Sequence, residues 1–270
     1  CPKARLGRVQ GLVWGFRSIG MIGGGPILAS LVVAKIFTQV ESTFVLLGIL
    51  MIISAFLTIL VKEPTEFLDV SIFDNFKGLF KKRKDLKTYM FALFNSVADG
   101  VIMLFLSLYI LLQMGIIESQ EMSLSLAPVG DDTAFQFQAI ISIIISVGII
   151  GGAIFGGWLT DTISRRLGVI YAMLFTSGSI ILILVSMNTV YLFIIAFVVG
   201  IGVGWRHTAY SAVVSRMAKY HPEIDSTYFA FCNSFSNLGS TLGLLIMGEV
   251  FAQTASYFVV FLIIGLAQLI

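Results

Sequence analysis

The sequence predicts an all-α fold: a polytopic membrane helical bundle with eight transmembrane helices. Three observations carry this. Hydrophobic residues make up 57% of the chain and charged residues 12%, whereas about a quarter of the residues of a globular protein are charged; mean hydropathy is +0.97. The apolar residues fall in long runs, and about 20 helical residues cross roughly 30 Å of hydrocarbon. None of the runs breaks into segments with the period-two polarity of a lipid-facing barrel strand, and in lipid a helix satisfies its own backbone amides and carbonyls.

The first run, Val9–Ile36, is Gly-rich and carries Arg17 and Lys35; a very short turn leads to the second, Thr43–Val61. The third, Thr88–Met114, holds Asn95 and Asp99, which are one helical turn apart. The fourth and fifth, Phe137–Thr160 and Gly168–Ser186, flank a short charged turn. The sixth, Val190–Trp205, contains Gly200, Gly202 and Gly204 and is read to end where Arg206 begins a polar stretch. No strand precedes those glycines and no P-loop lysine pattern follows, so they permit bending or close packing rather than phosphate binding. The seventh, Thr227–Phe251, repeats Asn233, Asn237 and Thr241 at four-residue spacing, and Ser256–Ile270 is the eighth.

Basic residues set the orientation. Lys3, Arg5 and Arg8 precede the first run, seven more lie between Lys62 and Lys87, Arg165 and Arg166 follow the fourth run, and Arg206, Arg216 and Lys219 follow the sixth. The loop from Gly115 to Gln136 holds Glu118, Glu121, Asp131 and Asp132 and no Lys or Arg. Fifteen of the seventeen basic residues thus fall on one side, which is read as cytoplasmic, most simply in a plasma membrane. Scattered over four loops, these charges form no single soluble face, which excludes a nucleic-acid partner. Between the second and third runs, Ile72, Phe73, Phe76, Leu79 and Phe80 share one helical face. Lys77, Lys81, Lys82, Arg83 and Lys84 supply cations beside it, the pattern of a short interfacial helix touching anionic lipid.

Enzyme chemistry finds little support. The two histidines, His207 and His221, are both read on the cytoplasmic side without metal-ligand spacing. Cys1 and Cys232 support neither a disulfide framework nor a zinc cluster. No metal and no cofactor is expected.

A weak internal repeat links the two ends of the chain. Shifted by 214 residues, Gly25–Val45 matches Gly239–Val259 at six of twenty-one positions, a parallel repeat of the kind seen in transporters built from two similar bundles. Between the fourth and fifth runs stands GGWLTDTISRRLG. Its Gly157, Leu159, Asp161, Arg165 and Arg166 resemble the cytoplasmic loop signature of the major facilitator superfamily, although Thr162 and Ser164 replace a basic residue and a glycine. GFRSIGMIGGG at 15–25 and STYFAFCNSFSNLGSTLG at 226–243 resemble the fifth and eleventh helices of the muropeptide permeases and acetyl-CoA transporters within it.

The resemblance implies that the eight runs are helices five to twelve and that four earlier helices precede Cys1. It divides the chain into the last two helices of an N-terminal bundle (1–62), a central cytoplasmic loop (63–87) and a six-helix C-terminal bundle (88–270). It also implies a monomer working as a secondary active transporter by alternating access. Gly157 lets helices approach, and Asp161 can accept hydrogen bonds from a neighbouring helix N-terminus, where the dipole favours an anion. Arg165 and Arg166 anchor the loop. Together these four form the expected conformational gate, against the simpler reading of a tight cytoplasmic turn.

Charges inside spans are expensive and by default mark function. Asp99, with Asn95 one turn earlier on the same face, is the expected site of proton or cation coupling, against the alternative of a structural hydrogen bond. Arg17 either meets an anionic solute, pairs with a carboxylate, or snorkels to the interface. Asn233 and Asn237 line a polar path or pack helices. The expected function is transport of a small organic solute. A polytopic sensor, scaffold or assembly factor on the same fold is the competing class.

Overall fold

The computed structural model describes residues 5–22, 41–58, 60, 78–80, 83–117, 132–185, 188–222 and 224–269. Every regular element among the described residues is helical, and each of the eight apolar runs carries a helix. The elements are α1 (Leu6–Ile22), α2 (Glu41–Thr58), α3 (Arg83–Asn95), α4 (Val97–Val101), a π-helical turn (Ile102–Leu106) and α5 (Ser107–Gln113), then α6 (Asp132–Thr162) and α7 (Arg165–Leu182). A 3₁₀ turn (Ile183–Val185), α8 (Thr189–Ala218), α9 (Asp225–Thr254) and α10 (Tyr257–Ala267) complete the order. Five helices among the described residues are long and apolar enough to cross a membrane: Arg83–Gln113, Gln136–Thr162, Arg165–Val185, Thr189–Ala218 and Asp225–Thr254. Phe44–Leu57 and Tyr257–Ala267 are shorter apolar helices.

Apolar side chains face outward as well as inward. Phe16, Phe44, Met51, Ile194 and Leu245 are all exposed, as expected of a bundle whose surroundings are hydrocarbon rather than water. The interior contacts are made by small residues. α6 packs on α8 more extensively than any other pair, with α1 lying along α6. At Gly152 an added Cβ would collide with the Ile201 carbonyl, and at Gly204 with the Ile149 carbonyl, so these two helices touch backbone to backbone. Without a hydrophobic driving force between helices in lipid, such close approach is what holds them. The glycines of the sixth run therefore pack helices. α10 is joined to α7 by Ser177 Oγ, which donates to the Gly265 carbonyl at 2.6 Å.

Two expectations are corrected. The sixth run does not end at Trp205: α8 continues to Ala218, and Arg206 lies within the helix with 0% of its surface exposed. A buried cation cannot act as a loop charge, so Arg206 leaves the set that oriented the chain, and His207, the next residue of the same helix, is not a loop residue either. Leu79, expected on a lipid-touching face, is 1% exposed and packs in a cluster with Tyr89, Ile224 and Tyr228. Tyr89 Oη donates to its carbonyl at 2.7 Å, so the segment docks on the bundle at this point. Arg83 and Lys84 open α3 and are exposed. The rest of the interfacial helix, with Lys77, Lys81 and Lys82, lies outside the described residues, as do the acidic loop from 118 to 131 and most of the first copy of the repeat.

Candidate functional site

The site starts from a break in a helix. At Ser96 the backbone leaves helical geometry (φ −104°, ψ 0°) between α3 and α4, and its hydroxyl pairs with that of Ser236 on α9. α9 can approach there because Gly239 and Gly243 sit against the Leu93 and Val97 carbonyls, where no Cβ would fit. Three residues after the break comes Asp99, and the π-helical turn Ile102–Leu106 follows. Such turns are rare and concentrate at functional sites.

Asp99 meets α8. Arg206 donates to Asp99 Oδ1 through Nη2 and to Gln268 Oε1 through Nη1, so one guanidinium ties α8 to α4 and to the end of α10. The next residue, His207, places Nε2 3.4 Å from Asp99 Oδ2. Its ring stacks on Trp14 of α1, with centroids 4.3 Å apart and planes 12° apart. Trp14 is itself held by Nε1 donating to Ser211 Oγ at 2.8 Å, and one turn away Gln10 Nε2 donates to Ser215 Oγ at 3.1 Å. Residues four apart share a helical face, so Gln10 and Trp14 read against Ser211 and Ser215 as one polar seam. The guanidinium of Arg17 lies 4.5 Å over the Trp14 ring, a cation–π contact.

Of these groups Trp14, Arg17, Asp99 and His207 line a cavity of about 450 Å³. Arg17, Asp99, Asn233 and Asn237, four residues singled out in the sequence, all line it. Ser236, Ser240, Trp14 and His207 contribute further polar atoms, and Met103, Ile149 and Val203 an apolar side. Its size fits the usual range for small-molecule sites, about 300–1,000 Å³. Asn95 does not join the lining: it is fully buried, with neither side-chain amide atom hydrogen-bonded. The break at Ser96 separates it from Asp99, since the two no longer follow one regular turn.

The charged turn forms a second site. Asp161 Oδ1 accepts from the Gly7 amide at 2.8 Å and Oδ2 from the Arg8 amide at 2.9 Å, both at the N-terminus of α1, where amides lack helical partners. Gly157 permits this approach, because a Cβ there would press on the Gly7 carbonyl. Ser164 caps α7, its hydroxyl accepting from the Leu167 amide at 3.2 Å. Arg165 and Arg166 line a groove with Arg216.

Arg206 and His207 are the residues that sequence reasoning missed. The signal was faint but present: after Trp205 the small residues Ala209, Ser211, Ala212 and Ser215 continue a helical face, and Asp99 requires a cation. A buried cluster elsewhere was also missed. His221 Nε2 lies 3.1 Å from Asp85 Oδ1, Tyr228 Oη donates to the same oxygen at 3.3 Å, and the His221 ring stacks on Tyr228.

No curated protein matches the chain. The family model described as Major Facilitator Superfamily matches residues 88–270, well over half of the 270 residues. A helical bundle carrying that match, with a cavity among its helices lined by both polar and apolar side chains, is an integral membrane protein of the transporter type, and the chain belongs to the Major Facilitator Superfamily.

Proposed function

We propose that this protein is a secondary active transporter that moves a small organic solute by alternating access, coupled to protons. The single observation behind this reading is the cavity inside the membrane-spanning bundle, on which Asp99, His207 and Arg17 converge with Asn233 and Asn237. Residues 1–62 belong to an N-terminal bundle and residues 88–270 form the C-terminal one. In that division α1 faces the C-terminal bundle across the cavity, and the Trp14–His207 stack bridges the two.

Asp99 acts in coupling and Arg206 is its resident partner. A carboxylate shared between a guanidinium and an imidazole can exchange partners as a proton arrives, and that exchange alters which helices are tied together. Contacts made in only one conformation bias a two-state equilibrium. In this reading the joint between Asp161 and the α1 amides is such a contact and closes the cytoplasmic end. Arg17, resting on Trp14, and the two asparagines orient the solute.

The test is reconstitution with Asp99→Asn. Accumulation driven by a proton gradient is expected to disappear, while exchange of solute down its own gradient persists. If the variant still accumulates solute with unchanged pH dependence, Asp99 is not the coupling site.

A further inference from the structure

We propose that the groove between α3, α7 and α8, beside the turn that joins α6 to α7, binds an anionic phospholipid. It lies apart from the central cavity, holds about 450 Å³, and is contributed entirely by the C-terminal bundle. One end carries three arginines: Arg165 and Arg166 from the start of α7, and Arg216 from the last turn of α8. An adjoining hollow of about 370 Å³ shares Arg165, Arg216 and Tyr220 and adds Lys219. Among the described residues no acid lines either space. The remaining wall is apolar, formed by Phe91, Val169, Ile170, Val213 and Met217, and the outer faces of Leu167, Ile170 and Leu174 extend it along α7.

That division of chemistry matches one amphiphile. Guanidinium groups present planar forks that bind phosphate oxygens bidentately, and basic pockets between spans at a membrane face collect acidic headgroups. A soluble phosphate would engage the arginines but leave the five apolar side chains uncovered, whereas an acyl chain covers them. A phosphate seated between the arginines partly neutralises them. The lipid then bridges the first turn of α7 to the end of α8, independently of what the central cavity carries.

The experiment is native mass spectrometry of the purified chain after incubation with equal amounts of phosphatidylcholine and phosphatidylglycerol. Phosphatidylglycerol is expected to be retained preferentially. Arg166→Gln/Arg216→Gln should lose that preference by about fivefold for each arginine removed, while Arg166→Lys/Arg216→Lys, which keeps the charge but loses the bidentate fork, should retain only part of it. Ile170→Trp, which fills the apolar wall without touching the cations, should also release the lipid. Equal retention of both lipids, an unchanged preference in Arg166→Gln/Arg216→Gln, or undiminished retention in Ile170→Trp overturns the proposal. So does displacement by inorganic phosphate at matched concentration, which would mark a simple anion site.

Discussion

Asp99 and Arg206 neutralise each other, the guanidinium fully buried and the carboxylate at the edge of the cavity. Asp99 was legible in the sequence because an acid in the middle of an apolar run is expensive and needs a partner or a role. Arg206 was not, because hydropathy falls after Trp205 and a basic residue at that point looks like the end of a span. Only the fold shows it buried, with one nitrogen on Asp99 and another on Gln268. Removing one partner of a buried ion pair leaves an uncompensated charge and costs about 3–5 kcal/mol. Arg206→Gln should therefore lower the thermal unfolding midpoint of the detergent-solubilised protein sharply, and Asp99→Asn/Arg206→Gln should recover most of the loss. A double variant no more stable than Arg206→Gln alone would show that the pair is not the interaction removed.

Between elements, the decisive features are a break and a joint. The break at Ser96 divides what reads in sequence as one uninterrupted span and takes Asn95 out of the site that its four-residue spacing from Asp99 had suggested. Periodicity assumes a regular helix, so a local departure defeats it. The joint between Asp161 and the start of α1 was anticipated more closely, because an acid beside a helix N-terminus is favourable whichever helix supplies it; which helix that is, α1, came from the packing. Asp161→Asn keeps one acceptor where the carboxylate offers one to each of two amides and removes the charge, which alone is a loss of roughly 0.3–1 kcal/mol at a helix N-terminus. The expected outcome is a shift of about twofold to fivefold toward states in which the joint is open. Spin labels placed near the start of α1 and on the exposed turn at Thr162 would read it as a population of longer distances. An unchanged distance distribution would reduce the loop to a tight turn.

For the whole molecule, the prediction concerns sidedness. Single cysteines at Thr162 and Lys82 should react with a membrane-impermeant reagent from one face and a cysteine at Asp131 from the other; labelling of Thr162 and Asp131 from the same face would break the topology. By itself the sequence determined that this is an all-α membrane protein, the order of its apolar helices, and which acid inside a span needed explaining. Those properties follow from the free energy of placing each residue in hydrocarbon, and that quantity is local and additive along the chain. The tertiary structure alone decided that Arg206 and His207 belong with Asp99, that Asn95 does not, that Leu79 turns inward, and that Arg165, Arg166 and Arg216 share one groove with an apolar wall. Each of these depends on residues far apart in the chain, brought together by glycines that let backbones touch, and a residue's own hydropathy carries no information about which partner that approach delivers.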